Sequence, residues 1–241
     1  MKSSKIVLTL AAIASSFLAH AAPAINVSGV NLGATQVQAR AAASSANKEF
    51  TFVDIKQNDG KVSGFQAKSK TIGGSSIGAS SNDFMVVLFD QGSTWFVGRF
   101  QKFEEGDRPT TLSTMSALKE KFGPPTVSSS SSIEWQYDRS GALYKGIPAQ
   151  GPCPNGIDGP SFNAGMMATI SVPAKFSERC GFYIEARLLP SPDGRMVNSL
   201  LIRAYESGRI FDGLQQQRDN ANAANAKKLE EERAKAVKPQ L

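Results

Sequence analysis

Two Asp-Gly turns, each set between strand-like runs, constrain this chain more than any other feature, because they commit long stretches of it to antiparallel sheet. Phe50 to Gln57 and Val62 to Lys68 flank Asn58-Asp59-Gly60. Phe182 to Leu189 and Met196 to Tyr205 flank Ser191-Pro192-Asp193-Gly194. Asp and Gly accept the backbone angles that a tight hairpin turn demands. In the last of these runs Leu200, Ile202 and Ala204 point one way, and Ser199 and Arg203 the other. Phe84 to Phe89 is apolar on both faces, as a central strand is, and Gln91-Gly92-Ser93 turns it into Trp95 to Phe103. There Trp95, Phe96, Phe100 and Phe103 read as sheet core, with Arg99 and Lys102 as cationic edges. Ile133, Trp135 and Tyr137 alternate with Glu134, Gln136 and Asp138, the pattern of a half-buried strand. Met167 to Val172 reads as a further short strand.

Helical periods stand before each set of strands. Thr35 is a candidate N-cap for a run rich in helix formers that ends near Ala46. From Thr111 to Phe122, Leu112, Met115, Leu118 and Phe122 make one stripe, stopped by Gly123 and barred from continuing by Pro124-Pro125. The segment from Leu214 to Lys238 is mostly Gln, Asn, Ala, Lys, Glu and Arg, a helix polar all round without a sustained heptad. Such a helix could dock on a partner. The expected fold is α+β: two helix-plus-antiparallel-sheet halves, 22–106 and 107–213, followed by a polar helical tail, 214–241.

Residues 1–21 read as a secretory leader. Lys2 and Lys5 precede an apolar run from Ile6 to Leu18, and Ala19-His20-Ala21 fits a cleavage site after Ala21. The apolar run is too short to span a membrane, which takes about 20 residues. No transmembrane segment is expected once the leader is gone, and the mature chain is expected to be periplasmic or secreted. Its loss removes His20, the one histidine, and lowers the net charge from +6 to +4 by taking Lys2 and Lys5. Serine or cysteine triads and His-bearing zinc sites are thereby excluded from the mature chain. A charge so mild gives no nucleic-acid partner.

In an oxidising compartment the only two cysteines, Cys153 and Cys180, should pair as a structural clamp. The chain-entropy argument assigns such a loop about 3.5 kcal/mol. No C-x-x-C is present to make them a redox pair.

Resemblance to a family rests on two segments. Gly29-Val30-Asn31-Leu32-Gly33-Ala34-Thr35-Gln36-Val37 resembles the Gly-x-Thr-x-x-x-Val helix start of small bacterial envelope modules. Leu118-Lys119-Glu120-Lys121-Phe122-Gly123-Pro124-Pro125, followed by Trp135-Gln136-Tyr137, is similar to their helix ending in Gly-x-Pro before a Trp-x-Tyr strand. These modules are the small outer-membrane-assembly lipoprotein and the β-lactamase-inhibitor proteins. The resemblance implies a non-enzymatic protein that presents a sheet or loop to another protein. The chain lacks their lipidated cysteine, has longer loops, and inherits no site residue from them.

The chemistry on offer is thin. Gly74-Ser75-Ser76-Ile77-Gly78 satisfies Gly-x-Ser-x-Gly inside a Gly/Ser-rich loop with no histidine to serve it. Glu104, Glu105 and Asp107, like Asp54, Asn58 and Asp59, lack cation-loop spacing and read as turns. The sequon Asn26-Val27-Ser28 is explained by chance, and no phosphate cradle is present. Glu134 and Asp138 beside Trp135 and Tyr137 could form a glycosidase pair, but on a strand they stand about 13 Å apart, beyond the usual carboxylate separation. No catalytic, metal-binding or cofactor-binding residue is therefore assigned. The leading expectation is a non-enzymatic exported protein that binds an envelope protein or cell-wall component. The alternative is a carboxylate-dependent hydrolase of cell-wall glycan.

Overall fold

The computed structural model describes residues 24–69, 83–153, 161–162, 170–171 and 175–235. The leader with its cleavage position Ala21, the Gly74–Gly78 pattern and the residues after 235 lie outside the described residues. The first turns of structure are β1 (Asn26–Val27) and β2 (Val30–Asn31), a short hairpin turning at Ser28 and Gly29, both at positive φ. Next comes α1 (Gln36–Ala46). Its N-cap is Thr35, whose hydroxyl accepts from the Gln38 amide while the Gln38 side chain returns to the Thr35 amide. That reciprocal box satisfies two backbone donors that a helix start leaves open.

Four strands succeed it: β3 (Thr51–Lys56), β4 (Val62–Lys68), β5 (Asp83–Asp90) and β6 (Ser93–Lys102). Gly60 sits at positive φ in the first hairpin, and Gln91 and Gly92 both do in the second. Then α2 (Thr111–Phe122) leads to β7 (Val127–Ser128) and β8 (Ser132–Asp138). In the two-stranded ribbon of β9 (Ser161–Phe162) with β10 (Ile170–Ser171), β10 falls inside the short strand expected from Met167 to Val172. The long hairpin β11 (Cys180–Pro190) and β12 (Val197–Glu206) runs directly into α3 (Ser207–Lys235). Among the described residues no helix is long and apolar enough to cross a membrane.

Eight strands form one antiparallel sheet in the order β3-β4-β5-β6-β12-β11-β8-β7. The four earlier strands make one side and the four later strands the other, with β6 and β12 paired at the centre. One face is covered by helices. Phe65, Met85, Val87, Val97, Ile133, Trp135, Ile184 and Ala204 are fully buried there, against Ala39 and Ala43 of α1 and Leu118 of α2. Ile25, Val27 and Val30 of the β1–β2 hairpin close the middle, over β6 and β12. Arg99 is not a cationic edge. It lies buried on this face, gripping Asp83 through Nε at 2.9 Å and through Nη2, while Asn47 donates to the same carboxylate.

Three further expectations change. Leu112 stands 79 % exposed, outside the stripe assigned to it. Thr114, Met115, Leu118 and Phe122 face the sheet instead, and Leu112 lies about 120° around the helix from Leu118 at 100° per residue. The helix of the tail starts at Ser207 rather than Leu214, because Ile210, Phe211 and Leu214 pack on the second face of the sheet. Beyond them Gln215 to Lys235 is exposed throughout, a rod about 30 Å long. Gln136, expected on the polar side of a half-buried strand, is fully buried.

Candidate functional site

Gln136 is buried because the chain after β8 folds back across the second face. Asp138 ends the strand and makes the turn: its Oδ1 accepts from the Ser140 amide, the Ser140 hydroxyl and the Ala142 amide. Those hydrogen bonds, Ser140 first, hold its carboxyl below the ordinary aspartate range. The returning chain adds to the strand through Tyr144, whose amide donates to the Gln136 carbonyl at 2.8 Å. Gln136 also pins the loop beyond Tyr144: its Nε2 donates to the Pro148 carbonyl and its Oε1 accepts from the Cys153 amide. A Cβ on Gly151 would lie 2.1 Å from that Oε1, so a larger residue there would displace the buried Gln136 amide.

The loop is closed by a disulfide between Cys153 and Cys180, both without solvent exposure. Ser177 donates to the Pro152 carbonyl, and Arg179 to the Gly151 carbonyl at 3.2 Å. Beside the strand end and the pinned loop lies a cavity of about 790 Å³, wide open to solvent, whose described lining includes Ala142, Leu143, Tyr144 and Pro152. Cavities of this volume fall within the range of ligand sites.

Among the described residues, five charged side chains line the cavity: Asp138, Arg139, Lys145, Glu178 and Arg179. Two are already engaged. Asp138 serves the turn, and Arg139 gives Nη2 to both oxygens of Asp212 at 2.7 and 2.6 Å, tying the loop to α3. A Cβ on Gly208 would lie 2.5 Å from Arg139 Nη1, so glycine leaves room for that guanidinium. Lys145 and Arg179 form no ion pair among the described residues. A neighbouring crevice of about 420 Å³ at the base of α3 holds Arg139 with Asp212 and Arg209 with Glu206, cations and carboxylates already matched.

Glu134 does not line the cavity. It sits across from Glu185 in the β8–β11 register. Glu185 is itself committed, accepting from Arg187 Nε and Arg203 Nε. Burial and the Glu185 and Glu134 carboxylates keep the Tyr183 hydroxyl protonated far above its ordinary value. Asp138 is thus a turn acceptor held ionised, and Glu178 is the other carboxylate on the described lining. Among the described residues, no three His, Cys, Asp or Glu side chains gather as a metal site.

Sequence reasoning found the cysteine pair but missed Glu185, Lys145 and Arg179. Glu185 was legible only as a charge breaking the apolar run from Phe182 to Leu189. Lys145 and Arg179 lie in dense loop sequence where no period operates. No protein-family model, curated protein or solved structure matches the chain.

Proposed function

We propose that the chain is a non-enzymatic exported protein that binds another component of the envelope, in the cavity beside the disulfide-clamped loop. The observation that carries this is the cavity's chemistry. It offers an apolar wall, two cations and one carboxylate, Glu178, outside any described ion pair, while Asp138 is spent on a turn. Binding needs what is there; hydrolysis by a carboxylate pair needs an acid and a base that can exchange protons. Two further features support the reading. The disulfide fits export, and nothing after residue 21 is histidine. The strand order supports two related halves as well: in each, a helix precedes four strands running between sheet edge and centre. That layout agrees with the resemblance to envelope modules that act by contact.

Crosslinking in intact cells, with the linked peptides mapped, tests this. The expected result is an envelope component joined within residues 139–150 or 175–179. Loss of a measured lytic activity on cell-wall glycan in Glu134→Gln or Asp138→Asn would instead establish the hydrolase.

A further inference from the structure

We propose that β3, the long free edge of the sheet, pairs with β3 of a second copy of this chain and joins two sheets into one. The sheet has two edges, and they differ. β7 is blunted: it holds two residues and follows closely on Pro124-Pro125. β3 runs from Thr51 to Lys56 without a proline and stands last in the strand order, so its outer backbone groups meet no strand among the described residues. Such groups are a template for an added strand. Thr51, Asp54 and Lys56 are exposed, and Val53 is 60 % exposed.

The residues of the edge select its occupant. Phe52 and Asp54 face the helices, where Arg40 of α1 pairs with Asp54 and lies 5.5 Å from the centre of the Phe52 ring. Alternation puts Thr51, Val53 and Ile55 on the other face, where Ile55 packs. All three are β-branched, the type that favours cross-strand pairing. A two-fold axis normal to the sheet joins antiparallel copies with their faces matched, so it passes through one residue of β3. Through Phe52, only Thr51 to Val53 pair within the strand. Through Asp54, two carboxylates meet, and the irregularity between Ile55 and Lys56 falls inside the ladder. Through Val53, all of Thr51 to Ile55 pairs: Thr51 opposes Ile55, Val53 opposes itself, and Phe52 opposes Asp54 of the second copy. Arg40 then meets a second carboxylate. It lies over the ring that the incoming Asp54 faces, and the bond to its own Asp54 leaves it further donors. The edge is thus complementary in charge to itself turned around. An extended segment of another protein would gain the backbone bonds without this match. So short a ladder makes a weak, concentration-dependent dimer.

The test uses the full-length chain, exported and oxidised, so that Cys153 and Cys180 are already joined. Sedimentation across a concentration series should show a monomer–dimer equilibrium. Val53→Lys should weaken it about tenfold or more, since like charges then meet on the axis. Val53 is exposed, so this variant should keep the parent's melting temperature. Cysteine variants read the register even if that one fails to fold. Opposed residues stand about 4.5–5.5 Å apart between Cα atoms, within disulfide reach. Val53→Cys should therefore link to itself in mild oxidant. Thr51→Cys and Ile55→Cys should each stay single yet link when mixed, because like positions lie about 13 Å apart along the ladder. A chain monomeric at every concentration, an unchanged dimer in Val53→Lys, or self-linking of Thr51→Cys equal to that of Val53→Cys would each overturn the proposal. So would exchange protection of the 51–55 amides that arises only with an added envelope protein, which would make the occupant a foreign strand. The cavity takes no part in this contact, so crosslinks mapped there bear on the binding function alone.

Discussion

Glu185→Ala should lower the unfolding free energy by about 3–5 kcal/mol, the cost of breaking a buried ion pair from one side. Glu185 has 2 % of its side chain exposed and holds two guanidinium groups, one on each oxygen at 2.5 Å. Arg187 is 60 % exposed and can turn to water when the carboxylate goes. Arg203 is 10 % exposed and cannot, and its guanidinium lies 6.0 Å from the centre of the Tyr183 ring. The penalty therefore falls on the Glu185–Arg203 limb. Urea melts of Glu185→Ala, Arg203→Ala and the double variant should give a coupling of about 1–3 kcal/mol between the two positions. Strictly additive losses would mean that the pair is not the source.

Trp135→Ala should cost a similar amount, about 3–5 kcal/mol, by a different mechanism. Its ring is without exposure, packs at 5.2 Å from the Phe122 ring, and donates Nε1–H to the Gly123 carbonyl at 2.9 Å. Alanine would empty the space between α2 and the sheet and strip a helix-ending carbonyl of its donor at the same time. Leu112→Ala, in the first turn of the same helix, should change stability by less than about 0.5 kcal/mol. A comparable loss at Leu112 would mean that α2 packs by another face.

The hairpins were legible because their cause is local. Asp59-Gly60 and Asp193-Gly194 set the turns, and turn length sets the register of the strands on either side. Thr35 disclosed a helix start for the same reason, since an N-cap acts on backbone only a few residues on; its partner Gln38 went unread. What could not be read depends on residues far apart in sequence. Gln136 looks like the outward half of an alternation. Only the return of Pro148 and Cys153 across the sheet buries it. Glu185 and Arg203 meet because β11 and β12 pair in one register, and nothing near either residue announces the other. The cavity is a still longer-range product. Lys145 and Arg179 share its rim because the disulfide closes a loop of 27 positions, and loop sequence carries no period from which a position in space could be inferred.

Leu112 shows the opposite error. A stripe of four apolar residues at helical spacing is one residue too wide, and the sheet takes its narrower part. The start of α3 was hidden by composition. Ser207 to Leu214 carries the apolar anchors Ile210, Phe211 and Leu214, yet the polar run that advertises the helix begins after them.

Passage across a membrane, with the leader removed, is the premise of the proposed binding function, because it would let Cys153 and Cys180 oxidise. It is tested by weighing the intact protein recovered from the cell that makes it, before and after thiol alkylation without reductant. A mass that starts at Ala22, only three residues ahead of buried Ile25, with neither cysteine alkylated is the expected result. A mass that retains Lys2 and His20, with both Cys153 and Cys180 alkylated, would contradict the account.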